Sequence, residues 1–314
     1  MPQGSPARDN KIYNYQFQFI MRDILFSGTL GDAFIVICKV YNIHQKTGER
    51  FNLFRYSIWP GMDSPIRQLT ELTGFIEYPE KCRTVKNVGE TIREVVRAKE
   101  PYINPSWNGY TPESWNQDPD GINMEPFPSL NLDSWHKENT KNRIGIQLHS
   151  GQVGGNFKGL SLNWVDRILK FIPRNEYEIH FFGTGDGLNQ RKINRICLDH
   201  GINNHIGKTD FKQWLSMLAG LDFLITPEGF PAFFAMSQRV KTLVFYTDYQ
   251  ILGRVHPEWR KRNILMSAGW RDMPSRIYNL VYKSIYRRAP DLAPIKPEQV
   301  YSLIHSQFSY LESC

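Results

Sequence analysis

The sequence predicts an α/β protein made of two doubly wound lobes that face each other across a cleft. Three observations predict it. A strand-length apolar run, DILFS (Asp23 to Ser27), enters the glycine turn GTLGD (Gly28 to Asp32). A long stretch with helical apolar spacing follows, and Gly48 stops it. The same order restarts at RIGIQLH (Arg143 to His149), which runs into the glycine-rich loop SGQVGGNFKG (Ser150 to Gly159). Further on, LDFLI (Leu221 to Ile225), an acidic-glycine turn at Glu228 and Gly229, the small apolar stretch Ala232 to Met236 and KTLVFY (Lys241 to Tyr246) form one strand–helix–strand unit.

Each remaining element takes its place in chain order. Residues 1–20 form a polar extension, within which YQFQFI (Tyr15 to Ile20) alternates as an added edge strand would. FNLFRYS (Phe51 to Ser57) is a second strand, and Ser64 to Leu72 a helix with Pro65 in its first turn. GFIEY (Gly74 to Tyr78) is a weaker strand and Thr91 to Ala98 a short helix. From Tyr102 to Asn142, Pro, Asn, Trp and Asp replace periodicity, marking the crossover between lobes. In the second half, Leu162 to Ile172 is an amphipathic helix, with Leu162, Val165, Ile168, Leu169 and Ile172 on one face. EIHFF (Glu178 to Phe182) is a strand that ends in GTGDG. Asn189 to His200, Phe211 to Ala219 and Glu298 to Leu311 are helices. The domain boundaries that follow are 1–20, 21–140, 141–296 and 297–314.

Composition narrows the partners. A chain of 314 residues holds two domains of ordinary size, and 41% apolar residues suit real cores. A formal charge of +7 favours anionic partners such as nucleotide diphosphates or lipid headgroups. The basic residues are dispersed and no nucleic-acid motif accompanies them, so nucleic acid is not expected. Cys38, Cys82, Cys197 and Cys314 show no paired spacing, which predicts neither zinc nor a disulfide framework and points to a reducing, cytoplasmic setting. Cys38 and Cys197 sit in apolar patterns and read as core. No leader-like apolar segment opens the chain, and no run approaches the roughly 18 apolar residues of a membrane span, so membrane contact is peripheral at most.

Four stretches in order resemble a known family, the two-domain GT-B glycosyltransferases, and within them the heptosyltransferase-like group, glycosyltransferase family 9. ILFSGTLGD resembles the family's first strand and loop, and the match falls on Gly31 and Asp32. IGIQLHSGQVGGNFKGLSLNWVDRIL is similar to the start of its donor domain, where a lysine precedes a tryptophan-containing helix; that lysine matches Lys158. EIHFFGTGDG resembles the next strand and glycine turn. TPEGFPAFFAM is similar to the acidic-glycine turn before a helix, with Thr247 and Asp248 after the following strand. Two departures stand out. The family has a histidine where this chain has Pro231, Ala232 and Phe233, and a proline where this chain has Ile37 and Cys38.

The resemblance implies two Rossmann-like domains facing across a cleft, the first taking the acceptor and the second a nucleotide-diphosphate sugar. It implies transfer of a hexose- or heptose-like sugar to a glycan or lipid-linked glycan, without cofactor or metal. Such transfer needs a base for the acceptor hydroxyl, a neutraliser for the departing diphosphate and a grip on the sugar. Asp32 is the candidate base; its plainer role is a helix N-cap. Lys158 is the candidate diphosphate partner, beside Gly151, Gly154 and Gly155, and is otherwise a solvated loop lysine. Glu228, Gly229 and Phe230 would hold donor sugar or ribose, Glu228 being otherwise a helix N-terminal acid. His149 contacts donor or acceptor, or is structural. Gly183 and Thr184 border the nucleotide, or make a plain turn.

Three further features carry weaker readings. Asp118 and Asp120 make a DxD pattern that in another glycosyltransferase class binds a metal, but Pro-Asp-Gly is turn chemistry. Trp107, Trp115 and Trp135 stack sugars or pack the linker against the first lobe. Arg254, His256, Arg260, Lys261 and Arg262 hold an anionic acceptor or form a solvated face. Two other functions stay open: a nucleotide-sugar epimerase of the same two-domain form, and a degenerate domain that binds glycans without turning them over.

Overall fold

The computed structural model describes residues 21–27, 29–57, 62–79, 83–84, 130, 132–136, 140–149, 159–184, 188–246, 255–267 and 295–309. The expected strand at Tyr15 to Ile20, the helix at Thr91 to Ala98, the DxD pair, Trp107, Trp115, Lys158, Thr247, Asp248 and Arg254 lie outside the described residues.

The first lobe opens with β1 (Met21–Ser27), α1 (Leu30–Thr47), β2 (Arg50–Ser57) and α2 (Asp63–Glu71), and adds two short strands, β3 (Ile76–Glu77) and β4 (Arg83–Thr84). β1 pairs in parallel with β2, and β2 with both β3 and β4. A charged group is buried here: Arg55, 1% exposed, donates to Asp63 at 3.3 Å, and the Tyr78 hydroxyl donates to the same carboxylate oxygen at 2.6 Å.

The second lobe contains β5 (Asn142–Gln147), α3 (Leu162–Leu169), β6 (Tyr177–Phe182), α4 (Gln190–His200), β7 (Asn203–Asn204), α5 (Phe211–Ala219), β8 (Phe223–Pro227), α6 (Phe230–Ser237), β9 (Lys241–Tyr246), α7 (Pro257–Arg262), β10 (Ile264–Ser267) and α8 (Pro297–Ser309). Its six strands are all parallel, in the order β10-β9-β8-β5-β6-β7. The chain leaves β5 in one direction and returns to β8 on its other side. The carboxyl ends of β5 and β8 therefore flank the point where strand order reverses, which is where open α/β sheets take ligands.

Helix ends follow from local chemistry. Asn189 Oδ1 accepts from the Lys192 N–H at 3.0 Å to start α4. Asp210 and Gln213 cap α5 reciprocally, each side chain meeting the other's backbone N–H. Gly48 ends α1 with φ +72, its N–H bonded to the His44 carbonyl at 2.8 Å.

Two cores hold the molecule. One is private to the second lobe and joins Ile144, Ile146, Trp164, Ile168, Ile179, Phe223 and Ile304. The other is shared: Ile24, Phe34, Val36 and Leu53 of the first lobe pack with Leu215, Leu224, Phe230, Phe234 and Val244 of the second. Helix α1 is the reason. Ala33 through Cys38 are all buried, on every side of the helix, because α1 lies between its own sheet and α6. Phe34 meets Phe230 and Phe234 edge-on, at 5.5 and 5.9 Å between ring centres. Cys38 and Cys197 are buried as expected, and burial pushes the Cys197 thiol up to about 11.

Trp135 docks on the second lobe, which for this tryptophan corrects the expectation of packing on the first. The Arg143 guanidinium lies 4.0 Å from the Trp135 ring and donates to the Trp135 and His136 carbonyls at 3.0 and 2.5 Å. A Cβ on Gly220 would approach Trp135 to 3.2 Å. Arg143 and Gly220 mark the amino ends of β5 and β8, so Trp135 sits at the opposite end of the strands from the ligand edge. Glu178, His180 and His205 complete this cluster. His180 Nδ1 lies 3.1 Å from His205 Nε2, and its Nε2 lies 3.5 Å from Glu178. Burial drives His180 down to about 4 against the pull of Glu178, and lowers His205 as well.

Candidate functional site

The turn after β1 fixes one wall. The helix α1 starts at Leu30, three residues earlier than a helix capped by Asp32, and Thr29 holds the N-cap position. Asp32 is the third helical residue. Its Oδ2 accepts from the Thr29 N–H at 2.7 Å and from the Thr29 hydroxyl at 3.1 Å. The N-cap expectation is thus corrected by a short shift: the carboxylate still serves the helix start, reaching back in a capping box. The side chain stays half-buried.

The opposite wall is the β8–α6 turn. Glu228 is 4% exposed, and its N–H donates to the Phe245 carbonyl at 2.9 Å, tying the turn to β9. Gly229 caps α6 with φ +143, a backbone conformation that a side chain would strain. Glu228 therefore precedes the cap and is not the first-turn acid expected. Phe230 needs a larger correction. Its ring lies in the shared core between Phe34, Phe211, Trp214 and Phe234 and is 6% exposed, so at the site it offers backbone only.

These walls touch. A Cβ placed on Gly31 would lie 3.4 Å from the Phe230 backbone nitrogen and 3.5 Å from the Phe233 ring. The absence of a side chain at Gly31 lets the amino ends of α1 and α6 approach each other across the two lobes. Asp32 and Glu228, nearly two hundred residues apart in sequence, thereby stand within two residues of this contact, one on each lobe.

A second group continues the same edge of the large sheet. His149 Nε2 lies 2.9 Å from the Thr184 hydroxyl, bridging the ends of β5 and β6. Gly183, at φ +154, passes directly under the imidazole, and a Cβ there would come within 3.1 Å of it. A backbone bridge pairs His149 with Gly159, which brings the far end of the glycine-rich loop back to the sheet. β5 lies between β6 and β8, with roughly 4.8 Å between neighbouring strands. Gly183, Thr184, His149, Glu228 and Gly229 therefore form one row along the ligand edge.

Two polar residues on this edge were not anticipated. Gln147 and Thr226 are 4% and 0% exposed, at the carboxyl ends of β5 and β8. The signal was a polar residue interrupting an otherwise apolar buried strand. The basic stretch resolves differently. Arg260 Nε donates to the Val255 carbonyl at 3.1 Å, Lys261 pairs with Glu258 at 2.6 Å, and His256 caps α7 by accepting the Glu258 N–H at 3.1 Å. Much of its basic character is thus spent within α7. Among the described residues no group of three or more His, Cys, Asp or Glu side chains could hold a metal ion, and no helix is long and apolar enough to cross a membrane.

No protein-family model and no curated relative matches the sequence. Solved structures do. The chain is similar to a glycosyl transferase of family 9 from Veillonella parvula, with a TM-score of 0.60 at 13% identity over 92% of this chain and 97% of that one. It is similar to ADP-heptose lipopolysaccharide heptosyltransferase II of E. coli, with a TM-score of 0.60 at 11% identity over 93% and 100% of the two chains. E. coli heptosyltransferase WaaC, solved with ADP, gives 0.54 at 11% identity over 91% and 99%. The fold is therefore the two-lobed GT-B architecture of these glycosyltransferases, as the motif order predicted. At such identities the likeness establishes the fold.

Proposed function

We propose that this protein is a glycosyltransferase that moves a sugar from a nucleotide-diphosphate sugar to a glycan or glycolipid acceptor, in the cytoplasm and without a metal. The observation that supports the reading is the meeting of Gly31 with the Phe230 backbone, which joins the turns that carry Asp32 and Glu228 beside the switch point of the large sheet. The structures of similar fold support it, one of them solved with ADP.

In this reading Asp32 takes the proton from the acceptor hydroxyl as that oxygen attacks the anomeric carbon. Glu228 accepts hydrogen bonds from donor hydroxyls while Gly229 leaves room for the sugar. His149, Gly183 and Thr184 line the nucleotide side. Lys158 meets the departing diphosphate, whose leaving is favoured by a nearby cation. Transfer of a hexose or a heptose fits equally.

The test is donor hydrolysis or transfer by wild type against Asp32→Asn. The amide keeps an oxygen for Thr29 but is no base. Loss of roughly 10²–10⁴-fold is expected with the melting temperature held. Equal rates would remove Asp32 from the chemistry. A second reading, a binding domain of the same fold without turnover, is favoured by one observation: both Thr29 donors converge on Asp32 Oδ2, so capping alone accounts for that oxygen. Nucleotide binding without turnover across a donor panel selects this reading.

A further inference from the structure

Residues of β5 alternate between two environments. Ile144, Ile146 and Leu148 enter the private core of the second lobe. Gly145 and Gln147 face the other way, and a Cβ on Gly145 would strike Leu221 and Phe182 of the shared core. In the parallel register Ile146 opposes Ile225, so Gln147 comes next to Thr226 at the last turn of the sheet before the crevice. Gln147 is thus a buried amide at the strand end beside the switch point, on the face toward α6.

Its hydrogen bonding is half complete. Nε2 donates to the His149 carbonyl at 2.8 Å, and that acceptor fixes which end of the amide is oxygen. Oε1 is buried and has no hydrogen-bond partner among the described residues. A buried acceptor left without a donor costs stability, and buried polar groups in native proteins rarely go unmatched. Gln147 stands at the place where a ligand would bring the missing donor. An ionised diphosphate cannot supply it, because it only accepts. A hydroxyl of the ribose or of the transferred sugar can supply it.

We propose that Gln147 is a specificity-determining residue of the donor site, its Oε1 accepting a hydrogen bond from a hydroxyl of the bound nucleotide sugar. The proposal rests on the glycosyltransferase reading and adds to it a group that recognises the uncharged part of the donor. It predicts that the site discriminates against donors lacking that hydroxyl. It also predicts that the residue works against stability in the free protein.

The experiment is calorimetric titration of wild type, Gln147→Met and Gln147→Asn with ADP, UDP and GDP, their 2′- and 3′-deoxy forms, and the corresponding nucleotide glucoses. Unliganded melting temperatures are measured alongside. Methionine keeps the volume without the acceptor; asparagine keeps the amide but withdraws it by one methylene, and serves if methionine does not fold. Expected is a loss of about tenfold or more in affinity for the best probe, with a melting temperature equal to or above wild type. Loss already seen with the nucleoside diphosphate, and absent with one deoxy form, assigns the hydroxyl to ribose. Loss confined to the nucleotide glucose assigns it to the transferred sugar. Variants that bind within twofold of wild type, or that lose stability while keeping affinity, overturn the proposal. A wild type that binds none of the probes overturns the glycosyltransferase reading and this inference with it.

Discussion

The two lobes share a plan but not a manner of holding together. The second lobe has six parallel strands, helices on both faces and a core of its own. Among the described residues the first has two full-length strands, two of only two residues, and a helix buried on every side from Ala33 to Cys38. Its core does not end at its own boundary but continues into the face of the larger sheet through α1 and α6. The first lobe thus shares with the larger one the burial of its helix α1. The same interface also brings the Asp32 and Glu228 turns together, through Gly31 and Phe230.

The sharpest way to break this asymmetry is Phe34→Ala. The ring is fully buried between two phenylalanines of the other lobe, and truncation is expected to cost about 3–5 kcal/mol. Hydrogen exchange should show protection falling together in β2 and in α6. Loss confined to β2 would mean that the lobes are separable.

Acid attacks from the second lobe. Folded His180 stays neutral down to about 4, whereas in the unfolded chain it takes up a proton near 6.5. Between those values the unfolded state binds more protons, so stability falls as pH drops from about 6.5 to about 4, by on the order of 2–3 kcal/mol. The lowered His205 acts in the same direction. Denaturant titrations across this window would check the slope, and His180→Phe should flatten it. If the shared core couples the lobes, β2 loses protection over the same pH range as β6.

The smallest effect compares like with like. Gly48 ends α1 and Gly201 ends α4, both left-handed, at φ +72 and +61, with open space where a Cβ would go. Alanine at either position should cost about 1–2 kcal/mol from backbone strain alone. One calorimetric transition, shifted equally by both variants, is expected; two transitions that move separately would uncouple the lobes.

Much of this architecture was legible in the chain. Strand, glycine turn and helix recur in order, and the ends of α5 match the expected Phe211 to Ala219. Strands of two residues have no period to read, so β4 and β7 escaped notice. The run PEWRKR masked α7, because its basic residues hid Val255 and Trp259, four apart and buried in the shared core. That the candidate glycines and acids fall at strand ends and helix starts was legible, because turn residues follow the apolar runs. Phe230 was misassigned because sequence places it at the turn but cannot tell which lobe closes over its ring. The unmatched oxygen of Gln147 was not legible, because hydrogen-bond partners appear only once the strand is placed in its sheet.

The burial of α1 bears on how the molecule is made. Once this helix has been made, α6, which packs against it, follows roughly 180 residues later. At about 5–20 residues per second the wait is roughly 10–40 s. Throughout that interval the face of α1 around Phe34 lacks the α6 phenylalanines that cover it in the folded protein. The contact between the lobes is thus completed only when the eighth strand and its helix have been made.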